Sequence, residues 1–227
     1  MRKLLTAFLT GALLLGATSG IATAAAGPSG GTIWVAHGIP GVKVDVCVNG
    51  AEARSNFKYG NAFALEGVAA GTYTVKVRLA APGVCKGAVA ISQKVDVANG
   101  LNATAVARLI GGAPGLSIFV NDTSLSTLNK ASVTVRHTAK APAVDVWVNG
   151  GTGPLVAGLS KGEEAGPVEV NDAVYSYWVS AEGSYAPVIG PDVAMLESGV
   201  AYQILAVGTN ASNWRFIVIG QDGQLAS

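Results

Sequence analysis

The chain has 227 residues, half of them hydrophobic and only 13% charged, with a formal net charge of +1. That balance excludes a strongly basic nucleic-acid binder and an acidic disordered chain. Its 30 glycines and scarce charges argue against long amphipathic helices, and two cysteines are too few for a small disulfide-built scaffold.

Residues 1–26 read as a secretory signal peptide. Arg2 and Lys3 open it, Leu4 to Gly16 give an apolar run of 13 residues, and small residues allow cleavage after Ala24 or Ala26. An uncleaved anchor is the alternative, but 13 apolar residues fall short of the roughly 20 that span a bilayer. No second run of that length follows, so the expected location is secreted, extracellular or cell-envelope, with no transmembrane segment after cleavage.

The remainder repeats itself. Residues 32–50 and 132–150 share eight of 19 positions at an offset of 100, among them His37/His137, Asp45/Asp145, Asn49/Asn149 and Gly50/Gly150. Later segments follow in the same order: 72–79 with 174–181, 99–109 with 198–208, and 116–120 with 214–218. A period this long marks a duplicated domain, not a solenoid unit. The expected division is 27–121, a polar linker at 122–131, and 132–227, each half large enough for one modest core.

Within each half the period is two. Val42, Val44, Val46 and Val48 share one face of a strand and Lys43, Asp45 and Cys47 the other; Tyr73, Val75, Val77 and Leu79 alternate in the same way with Thr74, Lys76 and Arg78. Such alternation predicts half-buried strands of antiparallel sheets. Asn49-Gly50 and Asn149-Gly150 follow such strands and signal type I′ hairpin turns. Strands at roughly 10-residue spacing predict an all-β chain of two tandem sandwiches of about seven strands each, with almost no helix.

The pattern V-x-H, then V-D-V-x-V-N-G, a G-T-Y-x-V-x-V strand and an A-V-G strand resembles the secreted family catalogued as domain of unknown function 4397. It rests on His37, Val44-Asp45-Val46, Asn49-Gly50, Tyr59-Gly60 and Gly71-Thr72-Tyr73, and on His137, Pro142, Val144-Asp145-Val146, Asn149-Gly150, Ser198-Gly199, Tyr202 and Ala206-Val207-Gly208. Lys161-Gly162 replaces Tyr59-Gly60 in the second half, and the first half has no Tyr at the position of Tyr202. The resemblance implies tandem Ig-like sandwiches in an exported bacterial protein and brings no assigned activity.

His37 and His137 are the only histidines. Each falls on an inward face near a strand end, as a structural histidine bonded to a loop carbonyl; the sharper reading pairs it with Asp45 or Asp145 as a base or metal ligand. For the two aspartates, facing outward, the plainer role is to accept backbone N–H groups from a loop. No nucleophile elbow, zinc helix, phosphate loop or dinucleotide fingerprint occurs, so the chain reads as a non-enzyme without metal or cofactor. Glu163-Glu164 reads as a solvated turn, and the Asn102, Asn121 and Asn210 sequons as chance matches.

Cys47 and Cys85 are expected to pair in an oxidising compartment, pinning loop 80–87 over the outer face of the Cys47 strand; two reactive thiols are the alternative. Trp147 stands at the Cys47 position and Tyr185 near that of Cys85, so aromatic packing is expected to replace the disulfide in the second half. Trp147 and Trp178 fall on outward positions with Tyr185 close by, a candidate binding face unless loops or the other half cover it. Trp34 is also outward, whereas Trp214, aligned with Leu116, is assigned to the core.

Charge divides unevenly, net +4 over 27–121 and −5 over 122–227, which favours docking between the halves or association between molecules. The expected function is a non-enzymatic envelope or secreted protein that binds an envelope glycan or surface protein, or acts as a structural module. Self-assembly is the alternative, and a hydrolase or metal enzyme a third.

Overall fold

The computed structural model describes residues 30–124 and 127–222; the signal peptide expected over 1–26 lies outside them. Among the described residues there are sixteen strands and no helix. The first eight are β1 (Gly31–His37), β2 (Val44–Val48), β3 (Ala51–Phe57), β4 (Ala62–Val68), β5 (Gly71–Leu79), β6 (Val89–Val97), β7 (Asn102–Ile110) and β8 (Ala113–Val120). The second eight are β9 (Lys130–His137), β10 (Val144–Val148), β11 (Val156–Leu159), β12 (Glu164–Asn171), β13 (Ala173–Ala181), β14 (Pro187–Leu196), β15 (Val200–Val207) and β16 (Arg215–Asp222). Lys130 and Ala131, at the end of the expected linker, already belong to β9.

The strands form two β-sandwiches, each a pair of four-stranded sheets. The orders are β4-β1-β7-β8 and β3-β2-β5-β6 in the first, β12-β9-β15-β16 and β11-β10-β13-β14 in the second. Each sandwich therefore has eight strands rather than about seven. Nor are the sheets purely antiparallel: β1 runs parallel to β7, and β9 to β15, because these partners are joined through the other sheet and not by a hairpin.

The registers show which positions correspond. Val44 faces Leu79 as Val144 faces Ala181, and Ala36 faces Val106 as Arg136 faces Leu205. One alignment fails: Leu116 faces Ala107 as Phe216 faces Ala206, so Phe216, not Trp214, is the partner of Leu116. Trp214, just ahead of β16, still packs against the second core. The alternating valines fill the two cores, around Val35, Val46 and Val77 in the first and Val135, Val146 and Val179 in the second.

A third apolar cluster joins the sandwiches. Ala36, Val106 and Phe119 from the first pack with Leu205, Val207, Ile217 and Ile219 from the second, and Trp34 lies against them. The outward face of β1, Trp34 included, is thus covered by the other half. A polar chain runs beside this cluster. Arg136 is 1% exposed and donates to Glu164 Oε2 at 2.9 Å and Asn121 Oδ1 at 2.8 Å, with Phe119 under its guanidinium. Asn121 reaches Asn102, Asn102 reaches Gln221, and Gln221 reaches Gln203.

One correction follows. Glu164 opens β12 rather than lying in a turn, and its 40% exposed side chain pairs with the buried Arg136. The Asn102 and Asn121 side chains are engaged in the interface rather than offered as sugar acceptors.

Arginines cross the interface in both directions. Gly60 has φ +81° and donates its N–H to the His37 carbonyl; an added Cβ would stand 2.9 Å from Arg215 Cδ of the second sandwich. Gly162 has φ +95°, donates to the His137 carbonyl, and would bring a Cβ to 2.9 Å from the Arg108 guanidinium of the first. At both turns the left-handed backbone favours glycine, and the crossing arginine packs into the space a side chain would take. The two sheets that meet here lie inside a four-layer stack, with β3-β2-β5-β6 and β11-β10-β13-β14 as its outer sheets.

Candidate functional site

The motif histidines end β1 and β9 and point inward, each 1% exposed. His37 Nε2 lies 3.2 Å from the Val42 carbonyl, and His137 Nε2 lies 2.8 Å from that of Pro142. Bonding to a carbonyl makes Nε2 the protonated nitrogen of each neutral ring; His37 Nδ1 accepts from the Ile39 N–H. Burial holds both pKa values below the ordinary value, against the carbonyl bonds that raise them.

Asp45 and Asp145 point away from the core yet are buried under loops, 2% and 5% exposed. Asp45 accepts from the N–H groups of Asn56 and Ala81, Asp145 from those of Gly158 and Gly183 at 2.8 Å each. Each aspartate ties the edge strand beside it to the loop after β5 or β13. Histidine and aspartate sit in different sheets with different loops as partners, so neither His37/Asp45 nor His137/Asp145 forms a pair. Among the described residues no group of three or more His, Cys, Asp and Glu could hold a metal.

Asn49 and Asn149 repeat a third contact, accepting the N–H of Thr74 and Ser176 and fixing the end of β2 to β5 and of β10 to β13. The turns that follow differ. Asn49 and Gly50 both have positive φ, as a type I′ hairpin requires, and β3 starts at once. Around Asn149-Gly150 only the glycine is positive, and β11 begins six residues later at Val156. The expected tight second hairpin is absent because Gly-Thr-Gly-Pro follows, and Pro154 has no N–H for the ladder.

Cys47 and Cys85 are bonded, S–S 2.00 Å, and hold the loop after β5 over the outer sheet. In the second sandwich Trp147 and Trp178 face each other across β10 and β13, rings nearly parallel with centroids 6.1 Å apart. Tyr185 stands edge-on over both, at 4.9 and 5.2 Å. Trp147 donates to Ser180 Oγ and Trp178 to the Tyr185 carbonyl. The structure thus brings Trp147, Trp178 and Tyr185 together as a clamp on the loop after β13.

Residues 31–147, from the start of β1 to Trp147, match the family described as domain of unknown function (DUF4397). The chain belongs to this family. No curated protein matches it. A solved structure, the Bacillus anthracis TIE protein, is similar at 14% identity and a TM-score of 0.24, over 80% of this chain and 34% of that one. The chain spans about a third of that structure's length. The DUF4397 match takes in His37, Asp45, Asn49-Gly50, His137 and Asp145. In this chain every one of these side chains, and the backbone of both Asn-Gly pairs, fastens a loop or turn to a strand.

The outer sheets of the two sandwiches differ position by position. In the first, Thr72 pairs with Asp96, Thr74 with Lys94 and Lys76 with Ser92. The corresponding pairs in the second include Val174 with Met195 and Ser176 with Val193, while Trp178 takes the place of Lys76. Val174, Val193 and Met195 are 60%, 68% and 51% exposed, and Tyr185 is 64% exposed. Sequence reasoning found the aromatics and missed these aliphatic residues, although the run Val174-x-Ser-x-Trp and the pair Val193/Met195 carry the period-two signal.

Proposed function

We propose that this chain is an exported, non-catalytic binding module of the cell exterior or envelope, and that its outer sheet β11-β10-β13-β14 is the binding face. The second sandwich is, on this reading, another copy of the DUF4397 domain. One observation carries the proposal: the exposed row Val174, Val193 and Met195, sharing a face with the Tyr185 clamp, where the first sandwich has threonine, lysine and aspartate. Exposed apolar rows of this kind mark surfaces that another molecule covers. The exposed row is aliphatic, Trp178 is buried, and Tyr185, perpendicular to both indoles, is the exposed ring of the cluster. This favours a surface protein over an envelope glycan as the partner. The engagement of both histidines and both buried aspartates in backbone bonds supports the non-enzymatic reading.

The test is co-sedimentation of the purified protein with isolated envelope of its producer, before and after protease treatment of that material. Retention lost on protease treatment supports the reading; equal retention points to a glycan, and none at all contradicts it. Self-assembly is the second reading, supported by the opposite charges of the halves. It predicts concentration-dependent sedimentation of the protein alone that weakens with salt.

A further inference from the structure

The two sandwiches differ in their interiors as well as on their faces. At the β3/β4 side of the first, a cleft of about 460 Å³ opens between the sheets, with Ile33, Val48, Leu65, Val75, Val95 and Val97 in its walls. It leads toward a small enclosed void of about 40 Å³ that shares Ile33, Val48, Leu65, Val75 and Val95 and reaches Val46 and Leu116. The counterpart of that enclosed void in the second sandwich, lined by Val135, Val146, Val148, Tyr177 and Ile204, measures about 20 Å³.

The registers explain the difference. Val75 faces Val48, whereas Tyr177 faces Val148. Ala53 precedes the partner of Val46, and Leu155 precedes the partner of Val146. Ala105 pairs with Val35, and Ile204 with Val135. At three corresponding positions the first sandwich carries the smaller side chain, and together they leave the space that Tyr177, Leu155 and Ile204 fill in the second.

We infer that this cleft is a binding site for a linear hydrocarbon chain whose polar end is uncharged or cationic. Its volume lies in the range of small-ligand sites, roughly 300–1,000 Å³. Its walls are aliphatic apart from Tyr73, whose hydroxyl already donates to the Ala69 carbonyl. The cleft runs inward between two sheets, which suits a single alkyl chain better than a fused ring. Glu66 is the one charged residue at its rim, so an anionic head group would be set against a carboxylate. The site lies in the first sandwich and is independent of the outer-face reading proposed for the second.

The test is titration of the full secreted chain with 1-alkanols from hexanol to decanol, followed by methyl NMR. Affinity is expected to rise about fourfold for each added methylene, with saturable shifts at Ile33, Leu65, Val75 and Val95. Decanoate should bind at least tenfold more weakly than decanol, and equal binding would overturn the assignment of the polar end. Val75→Tyr should abolish the shifts and Ala53→Leu should weaken binding at least tenfold, with the methyl signals of the second sandwich unchanged. Should Val75→Tyr fail to fold, Ala53→Leu carries the comparison. No saturable shift in the wild type, or shifts that survive the folded variants, would overturn the inference.

Discussion

Trp147 and Tyr185 meet edge to face at 4.9 Å, in the strand and loop that correspond to those joined by Cys47 and Cys85. The same problem, holding the loop after the third strand of an outer sheet, is solved covalently in one sandwich and by ring packing in the other. Reducing the disulfide should lower the stability of the first sandwich by about 2–4 kcal/mol. Trp147→Ala should lower that of the second by about 2–3 kcal/mol, since it removes a half-buried ring and the bond to Ser180. Urea unfolding read by NMR probes in each half separates the two effects. Equal loss in both halves after either change would contradict independent clamps.

Arg136 is the residue on which the contact between the sandwiches most depends. Arg136→Ala removes the donor to Asn121 and the cation over Phe119 and should cost about 3–4 kcal/mol. Arg136→Met keeps an apolar stem against Phe119 and should cost less than half as much. Calorimetry checks the magnitude, and the unfolding of the two halves should lie further apart in the alanine variant than in the wild type.

The histidines predict a pH dependence. Burial lowers the pKa of both from the ordinary 6.5, so folding keeps them neutral while the unfolded chain takes up protons. Their contribution is complete above 6.5 and is lost as the pH falls through the folded values. The slope has a ceiling of about 1.4 kcal/mol per pH unit for each histidine. Denaturation between pH 7.5 and pH 5 measures it, and His37→Gln with His137→Gln should flatten the curve while lowering its plateau.

Asp145 holds the edge strand β11 and the loop after β13 with one carboxylate. Asp145→Ala leaves the Gly158 and Gly183 N–H groups without their acceptor and should cost about 2–3 kcal/mol. Asp145→Asn retains one acceptor and should fall between. Hydrogen exchange at those two amides should quicken in both variants, and unchanged exchange would contradict the assigned role.

Much of this was legible in the residues. The Val42–Val48 alternation gave the strands, and the offset of 100 gave the two halves. The expectation of an oxidising compartment gave the Cys47–Cys85 bridge. Docking between the halves was one of two readings of their opposite charges; the apolar seam itself had a separate signal, since Leu205 and Val207 alternate with Ile204 and Ala206, as in strands covered on two sides. The Arg136–Glu164 pair spans 28 positions and depends on the β9–β12 register, which no local pattern encodes. The first-sandwich cleft is equally silent in one sequence half; it emerges only when Val75 is set against Tyr177 in three dimensions.

The most direct measurement is retention of Tyr185→Ala and of a Val174→Thr, Val193→Lys, Met195→Asp triple variant on isolated envelope, beside wild type, with each variant shown to be folded. The triple variant gives the second outer sheet the residues that the first carries. Retention of wild type, a weaker hold by Tyr185→Ala and none by the triple variant is the predicted result. Undiminished retention of the folded triple variant would contradict the claim that this sheet binds.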